Sequence, residues 1–120
     1  MNDPIRLARL LKVLSVPARV RIVQLLKGRA LCVNALTARL DITQGAVSQH
    51  LRIMRDAGLV VDEKRGYFVH YRLNERVLAG WQGHVGELLD PKTGSGENTK
   101  GAETCAAAMT RSKGARSRRT

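Results

Sequence analysis

The sequence is short of acidic residues: ten Asp and Glu stand against twenty-one Lys and Arg, a formal net charge of +11 over 120 residues. That imbalance favours a polyanionic partner, because neutralising phosphates releases condensed counterions. Cysteine is scarce as well. Only Cys32 and Cys105 occur, too few for the disulfide framework of a small secreted domain. No apolar run approaches the roughly 20 residues that span a bilayer, and the opening MNDPIRLARLLK lacks the layout of a secretory signal. These absences predict a cytoplasmic protein with reduced thiols and no membrane partner. Catalytic motifs are missing too. GSGENTKG at 94–101 resembles a phosphate loop only in its glycines, without the glycine-lysine-hydroxyl ending or a preceding strand. Cys32 with His50, His70 or His84 has no orienting motif beside it. An enzyme is not expected, and no cofactor is required.

A chain of this length holds one small domain and buries only roughly two thirds of its unfolded surface, which predicts a partner subunit. The positive charge is divided. Residues 91–120 carry seven Lys/Arg against two Glu, and residues 1–90 carry fourteen against eight. The expected folded part, 1–90, is therefore basic by itself. From Asp90 onward the text is small, polar and basic, which predicts a disordered C-terminal tail over 91–120.

The apolar pattern is mostly helical. Leu7, Leu10, Leu11 and Leu14 recur at helical spacing, predicting a helix over 4–14 started by Pro4. A second helix runs from Ser15-Val16-Pro17 to Lys27 and stops at Gly28; Val20, Val23, Leu25 and Leu26 are expected inward, Arg19 and Arg21 outward. Residues 32–40 read as a short third helix with Leu36 and Leu40 inward. Asp41-Ile42 makes a turn, and Thr43 caps a fourth helix. There Val47, Leu51 and Met54 form the buried stripe, while Gln44, Ser48, Gln49, Arg52 and Arg55 lie outside. Gly58 closes it. Leu59–Val61 and Tyr67–Leu73 are rich in strand formers and are joined by a charged turn, with Lys64 and Arg65 next to Gly66. Residues 74–89 form a last helix with Val77, Leu78, Trp81, Val85 and Leu88 on one side.

The fold expected is α+β and mostly helical: a winged helix-turn-helix of about five helices plus a two-stranded β-hairpin wing. A polar, cationic helix followed by a basic hairpin suits reading a major groove while gripping the adjacent backbone. The first and last helices leave apolar surface without a destination, so Leu7, Leu10, Leu11, Leu78, Trp81 and Val85 are expected at a homodimer interface.

Over residues 5–89 the chain resembles the ArsR/SmtB family of bacterial winged-helix repressors. The resemblance rests on LLKVLSVPARVRIVQLL at 10–26, ALCVNALTARLDIT at 30–43, QGAVSQHLRIMRDAGLV at 44–60 and RGYFVHYRL at 65–73. It implies a homodimer bound to double-stranded operator DNA until an inducer, often a toxic metal ion or metalloid, releases it. It places Gln44, Ser48, Gln49 and His50, with Thr43 at the helix start, in the recognition region. Gln suits adenine and Ser a base edge or a phosphate. Arg52, Lys64, Arg65 and Tyr67 suit backbone positioning. His50 has a second reading, as a ring packed on the helix start. Gly45 departs from the Ser or Pro often found there, which leaves the operator sequence open.

The arsenite- and antimonite-sensing subgroup typically carries Cys-Val-Cys at the start of the third helix. Here the text is Cys32-Val33-Asn34. As(III) or Sb(III) bonds to soft thiolates, and Cys105 is the other thiol the tail could bring to Cys32, because loop closure costs little more for a long loop than a short one. The family's zinc site on the last helix is represented only by His84 and Glu87, half of what tetrahedral zinc needs. Two alternatives stay open: the same fold as a metal-independent redox or sulfide repressor, and a charge-driven general nucleic-acid binder.

Overall fold

The structure, a computed structural model, describes residues 3–92. Five helices and three short strands run in the order α1 (Pro4–Val13), α2 (Pro17–Leu25), β1 (Leu31–Cys32), α3 (Val33–Leu40), α4 (Gln44–Asp56), β2 (Val60–Arg65), β3 (Phe68–Leu73) and α5 (Glu75–Leu89). These belong to one unit ending at Leu89. A second unit begins at Asp90, of which only the turn Asp90–Lys92 is described. The expected tail and Cys105 therefore lie outside the described residues, Pro91 and Lys92 excepted.

Each helix boundary has a local cause. Pro4 opens α1, and the Asp3 carboxylate accepts from the Ile5 N–H at 3.0 Å. Pro17 opens α2 in the same way, its missing N–H costing nothing in the first turn. Asp41 ends α3 in the left-handed region, at φ 59°, a conformation that short polar side chains tolerate better than most. The Arg21 guanidinium donates to the Arg39 carbonyl at 2.9 Å and the Leu40 carbonyl at 3.4 Å, satisfying helix-end acceptors that would otherwise lack partners. Asn74, expected inside the last helix, instead precedes it: its Oδ1 accepts from the Val77 N–H at 3.3 Å.

The sheet is larger than the hairpin expected. Leu31 and Cys32 pair with Tyr71 and His70, giving a three-stranded antiparallel sheet in the order β1-β3-β2. Two residues carry no readable alternation, so the sequence showed only a helix beginning at Cys32. Gly66 and Tyr67 form the two-residue turn between β2 and β3, with Gly66 at φ 65°.

The core lies where α2, α3 and α4 meet the root of the wing. Ile22, Leu36, Val47, Leu51 and Met54 are fully buried, and Leu59, Val60 and Leu73 close the cluster from the sheet side. Each such side chain contributes about 1.5–3 kcal/mol on burial. Helix α2 corrects the sequence reading: Val20 is 41% exposed, while Ile22 is the residue fully inside. At 100° per residue these two positions lie on opposite sides of the helix. Ile22 and Leu26 make the inward stripe.

Apolar residues of α1 and α5 are spent unevenly. Leu7 is 8% exposed within the single chain, whereas Leu11 is 43% exposed. Leu78 and Trp81 pack partly on the core, and no residue of α5 is fully buried. Leu7 and Leu10 of α1, Ile53 of α4, and Val77, Trp81 and His84 of α5 line an open groove of about 970 Å³.

Candidate nucleic-acid interface

Helix α4 is stapled to the body by one face. Val47, Leu51 and Met54 are completely buried, and Gln44, Ser48, Gln49, Arg52 and Arg55 are all exposed on other faces. Thr43 caps the helix, its Oγ1 accepting from the Ala46 N–H at 3.1 Å. Its hydroxyl is therefore partly engaged in building the helix. Arg55 pairs with Asp62 on β2 at 3.5 Å and reaches Asp56 at 4.0 Å, so it ties the helix end to the wing. Arg52 and Lys64 are exposed and carry no ion pair among the described residues.

The wing carries its charge in an ordered array. The Glu63 carboxylate accepts from Arg72 Nε at 2.7 Å and from Arg65 Nη2 at 3.2 Å. The Arg72 bond, then the Arg65 bond, hold its carboxyl below the usual carboxylate range. Glu63 thus orients Arg65 beside the Gly66 turn. Tyr67 at the tip is 96% exposed, an aromatic hydroxyl offered to solvent at the end of a basic hairpin.

His50 is where the sequence was least legible. Its ring is half-buried, and Arg19 Nε donates to Nδ1 at 3.1 Å. Burial, then the Arg19 charge, lower its pKa from the ordinary histidine value. Arg19 was expected outside. It lies three and seven residues before Ile22 and Leu26, on the same face as the core stripe. Its long stem follows that face, and Nη1 ends on the Val13 carbonyl at 3.1 Å. That spacing was the available signal.

The segment around Cys32 touches both α4 and β3. Cys32 is a free, half-buried thiol at the N-cap of α3, facing His70 of β3 across the ladder. Glu63 faces His70 from the other side, so Glu63, His70 and Cys32 form one row across a single face of the sheet. The Nδ1 atom of His70 is buried and has no hydrogen-bond partner among the described residues. Two residues past Cys32, Asn34 Oδ1 accepts from Gln44 Nε2 at 3.2 Å. Sequence reasoning missed both contacts, since neither lies within one element. Among the described residues, no group of three or more His, Cys, Asp or Glu is placed to hold a metal ion. His84 faces the α1–α5 groove. No described helix is long and apolar enough to cross a membrane.

Residues 16–61 match the family described as "Bacterial regulatory protein, arsR family", a span that runs from α2 to the first residues of β2. The chain is 39% identical over 89 residues to the "HTH-type transcriptional repressor SmtB" of Mycobacterium tuberculosis, covering 74% of this chain and 62% of that protein. It is 42% identical over 72 residues to the "Arsenical resistance operon repressor" of Escherichia coli K12, covering 59% and 62%. The chain thus spans less than two thirds of the length of either repressor. A crystal structure described as that of a possible transcriptional regulator for arsenical resistance superposes with a TM-score of 0.63 at 37% identity, covering 69% of this chain and 86% of that one. With the family match over 16–61 and 37% identity to a solved regulator of which 86% is covered, the chain belongs to the arsR family of bacterial regulatory proteins.

Proposed function

We propose that this chain is a homodimeric transcriptional repressor that binds operator DNA and leaves it when a thiol-binding inducer engages Cys32. One observation carries the DNA-binding part: α4 presents Gln44, Ser48, Gln49 and Arg52 to solvent while its other side is locked in the core, directly beside a wing bearing Lys64, Arg65 and Tyr67. Side chains on a rigid helix can hydrogen-bond base edges, and the wing cations can hold the neighbouring phosphates. Two copies related by a two-fold axis would set their α4 helices about 34 Å apart, one helical turn of DNA. The exposed apolar residues of α1 and α5 and the groove between them support that pairing. Leu10, Leu11, Trp81 and Val85 are the residues available to it, with Leu7 and Leu78 behind them. As a regulator it needs no cofactor, and it acts in the cytoplasm where DNA and reduced thiols coexist.

For the inducer we propose a thiophilic metalloid, As(III) or Sb(III), at Cys32, with Cys105 as the second thiol. The relatives named for arsenical resistance support this, together with the position of Cys32 beside the wing and next to the Asn34–Gln44 bond. The test of DNA reading is a competition. Full-length protein is titrated onto a labelled fragment of its own promoter, in the presence of excess unrelated DNA at fixed salt. Retention of the promoter complex is expected. Equal displacement by unrelated DNA would instead identify a charge-driven general binder.

A further inference from the structure

We infer that the Arg19 side chain is an acid-releasable tie between α1 and α4, and that protonating His50 loosens the pairing of two copies through α1. This rests on the homodimer reading above. One guanidinium makes both contacts: Nε donates to His50 Nδ1 at 3.1 Å, and Nη1 donates to the Val13 carbonyl at 3.1 Å. Val13 is the last residue of α1, where carbonyls lack partners within the helix. His50 lies in the middle of α4. Arg19 thus joins two helices distant in sequence, from the wall of the groove between them. The tie matters because α1 has little else to hold it. Leu7 is its buried side chain, and it packs against α5, with Leu10 and Leu11 left for a partner subunit.

A guanidinium stays protonated and only donates, and an imidazolium has no acceptor nitrogen. Protonating His50 therefore sets donor against donor and charge against charge, in keeping with the lowered pKa of the ring, which burial and then Arg19 produce. The guanidinium is a rigid plane, so it cannot swing away from His50 and keep its line to Val13. The end of α1 is then freed from α4, and pairing must order it again at the expense of dimer affinity. By linkage, pairing is at full strength above about pH 6.5 and declines as the pH falls below it. Arg19 of α2 is the charged group whose field falls on His50. Arg6, Arg9 and Lys12 of α1, Asp56 of α4 and His84 of α5 stand with it around the groove. Of these, His84 is the other imidazole and needs its own control.

The test is the dimer dissociation constant of full-length protein, measured by sedimentation equilibrium at about pH 7.5 and about pH 5, without DNA. In the unmodified chain it is expected to rise by about tenfold on acidification, the scale of a lost hydrogen bond to a charged group. In His50→Gln the side-chain oxygen can still accept from Arg19 and does not titrate, so the constant should stay near its neutral value at both pH values. Arg19→Met should pair about tenfold more weakly at both, with no pH dependence left. His84→Gln should keep the full acid response. Should Arg19→Met fail to fold, His50→Gln alone decides. A constant indifferent to pH in the unmodified chain overturns the inference. So does an acid response that survives in His50→Gln, or one that disappears in His84→Gln. A monomer at micromolar concentration and neutral pH removes the homodimer reading and the inference with it, while the promoter competition reports on DNA reading separately.

Discussion

Gln44 Nε2 donates to Asn34 Oδ1 at 3.2 Å, so the first residue of the recognition helix is bonded to a residue two positions past Cys32. The bond crosses the helix-turn-helix and joins the cysteine segment to the start of α4. An exposed bond of this kind contributes about 0.5–1.5 kcal/mol, enough to bias an orientation and too little to hold the fold. Asn34→Ala is therefore expected to leave the melting temperature almost unchanged and to release Gln44. The ratio of operator affinities with and without inducer should shrink by several fold. Operator titrations of this variant in both conditions check it.

Lys64 tests the backbone grip of the wing. It is exposed next to Arg65, without an ion pair among the described residues. Lys64→Ala should weaken binding to promoter and unrelated DNA alike and flatten the salt dependence by about one unit of slope per subunit contact. Affinities measured across a series of salt concentrations read this directly. A loss confined to the promoter would instead make Lys64 a base reader.

The two perturbed titrations predict an acid-side loss of stability. His50 titrates below the ordinary value of 6.5 when folded, because of burial and then Arg19. The unfolded chain takes up that proton first, so the contribution of His50 is complete above about pH 6.5 and declines as the pH falls below it. Glu63 titrates below 4.5, because Arg72 and then Arg65 bond its carboxylate. Its contribution is present above that value and is lost as the pH falls through the folded pKa. Urea midpoints should fall first near pH 6.5 and again in the carboxylate range. His50→Gln should remove the first fall, and Glu63→Gln should reduce the second.

Two glycines should respond in opposite senses. Gly45 lies in α4 with open space where a Cβ would stand, and helical Gly is less favourable than Ala by up to about 1 kcal/mol. Gly45→Ala is expected to raise stability by about 0.5 kcal/mol. Gly58 ends the same segment at φ 80°, where any L side chain is strained by about 1–2 kcal/mol. Gly58→Ala should lower stability by that amount although its Cβ would meet only Val77 Cγ2 at 3.8 Å. Thermal melts of the two variants decide the signs.

What the sequence made legible was local. The stripe of Val47, Leu51 and Met54, the Thr43 cap and the Gly58 stop all follow from spacing within one element, and the structure has each of them. The third strand was not legible, because Leu31-Cys32 is defined by its pairing with β3 and not by its own pattern. Val20 and Ile22 were exchanged because both are β-branched and apolar, so only the phase of the helix separates them. At the interface the exposed residues of α4 were legible from polarity. The contacts behind them, Arg19 with His50 and Asn34 with Gln44, join separate elements and leave no periodic trace.

The most direct test of the account is operator binding by full-length protein with and without arsenite, in the unmodified chain and in Cys32→Ser. Binding selective for the promoter, weakened at least tenfold by arsenite, and made indifferent to it by Cys32→Ser, is the predicted result. Such a shift corresponds to a coupling of about 1.4 kcal/mol or more between the two sites. Promoter-selective binding that arsenite leaves unchanged in both proteins would contradict the proposed inducer.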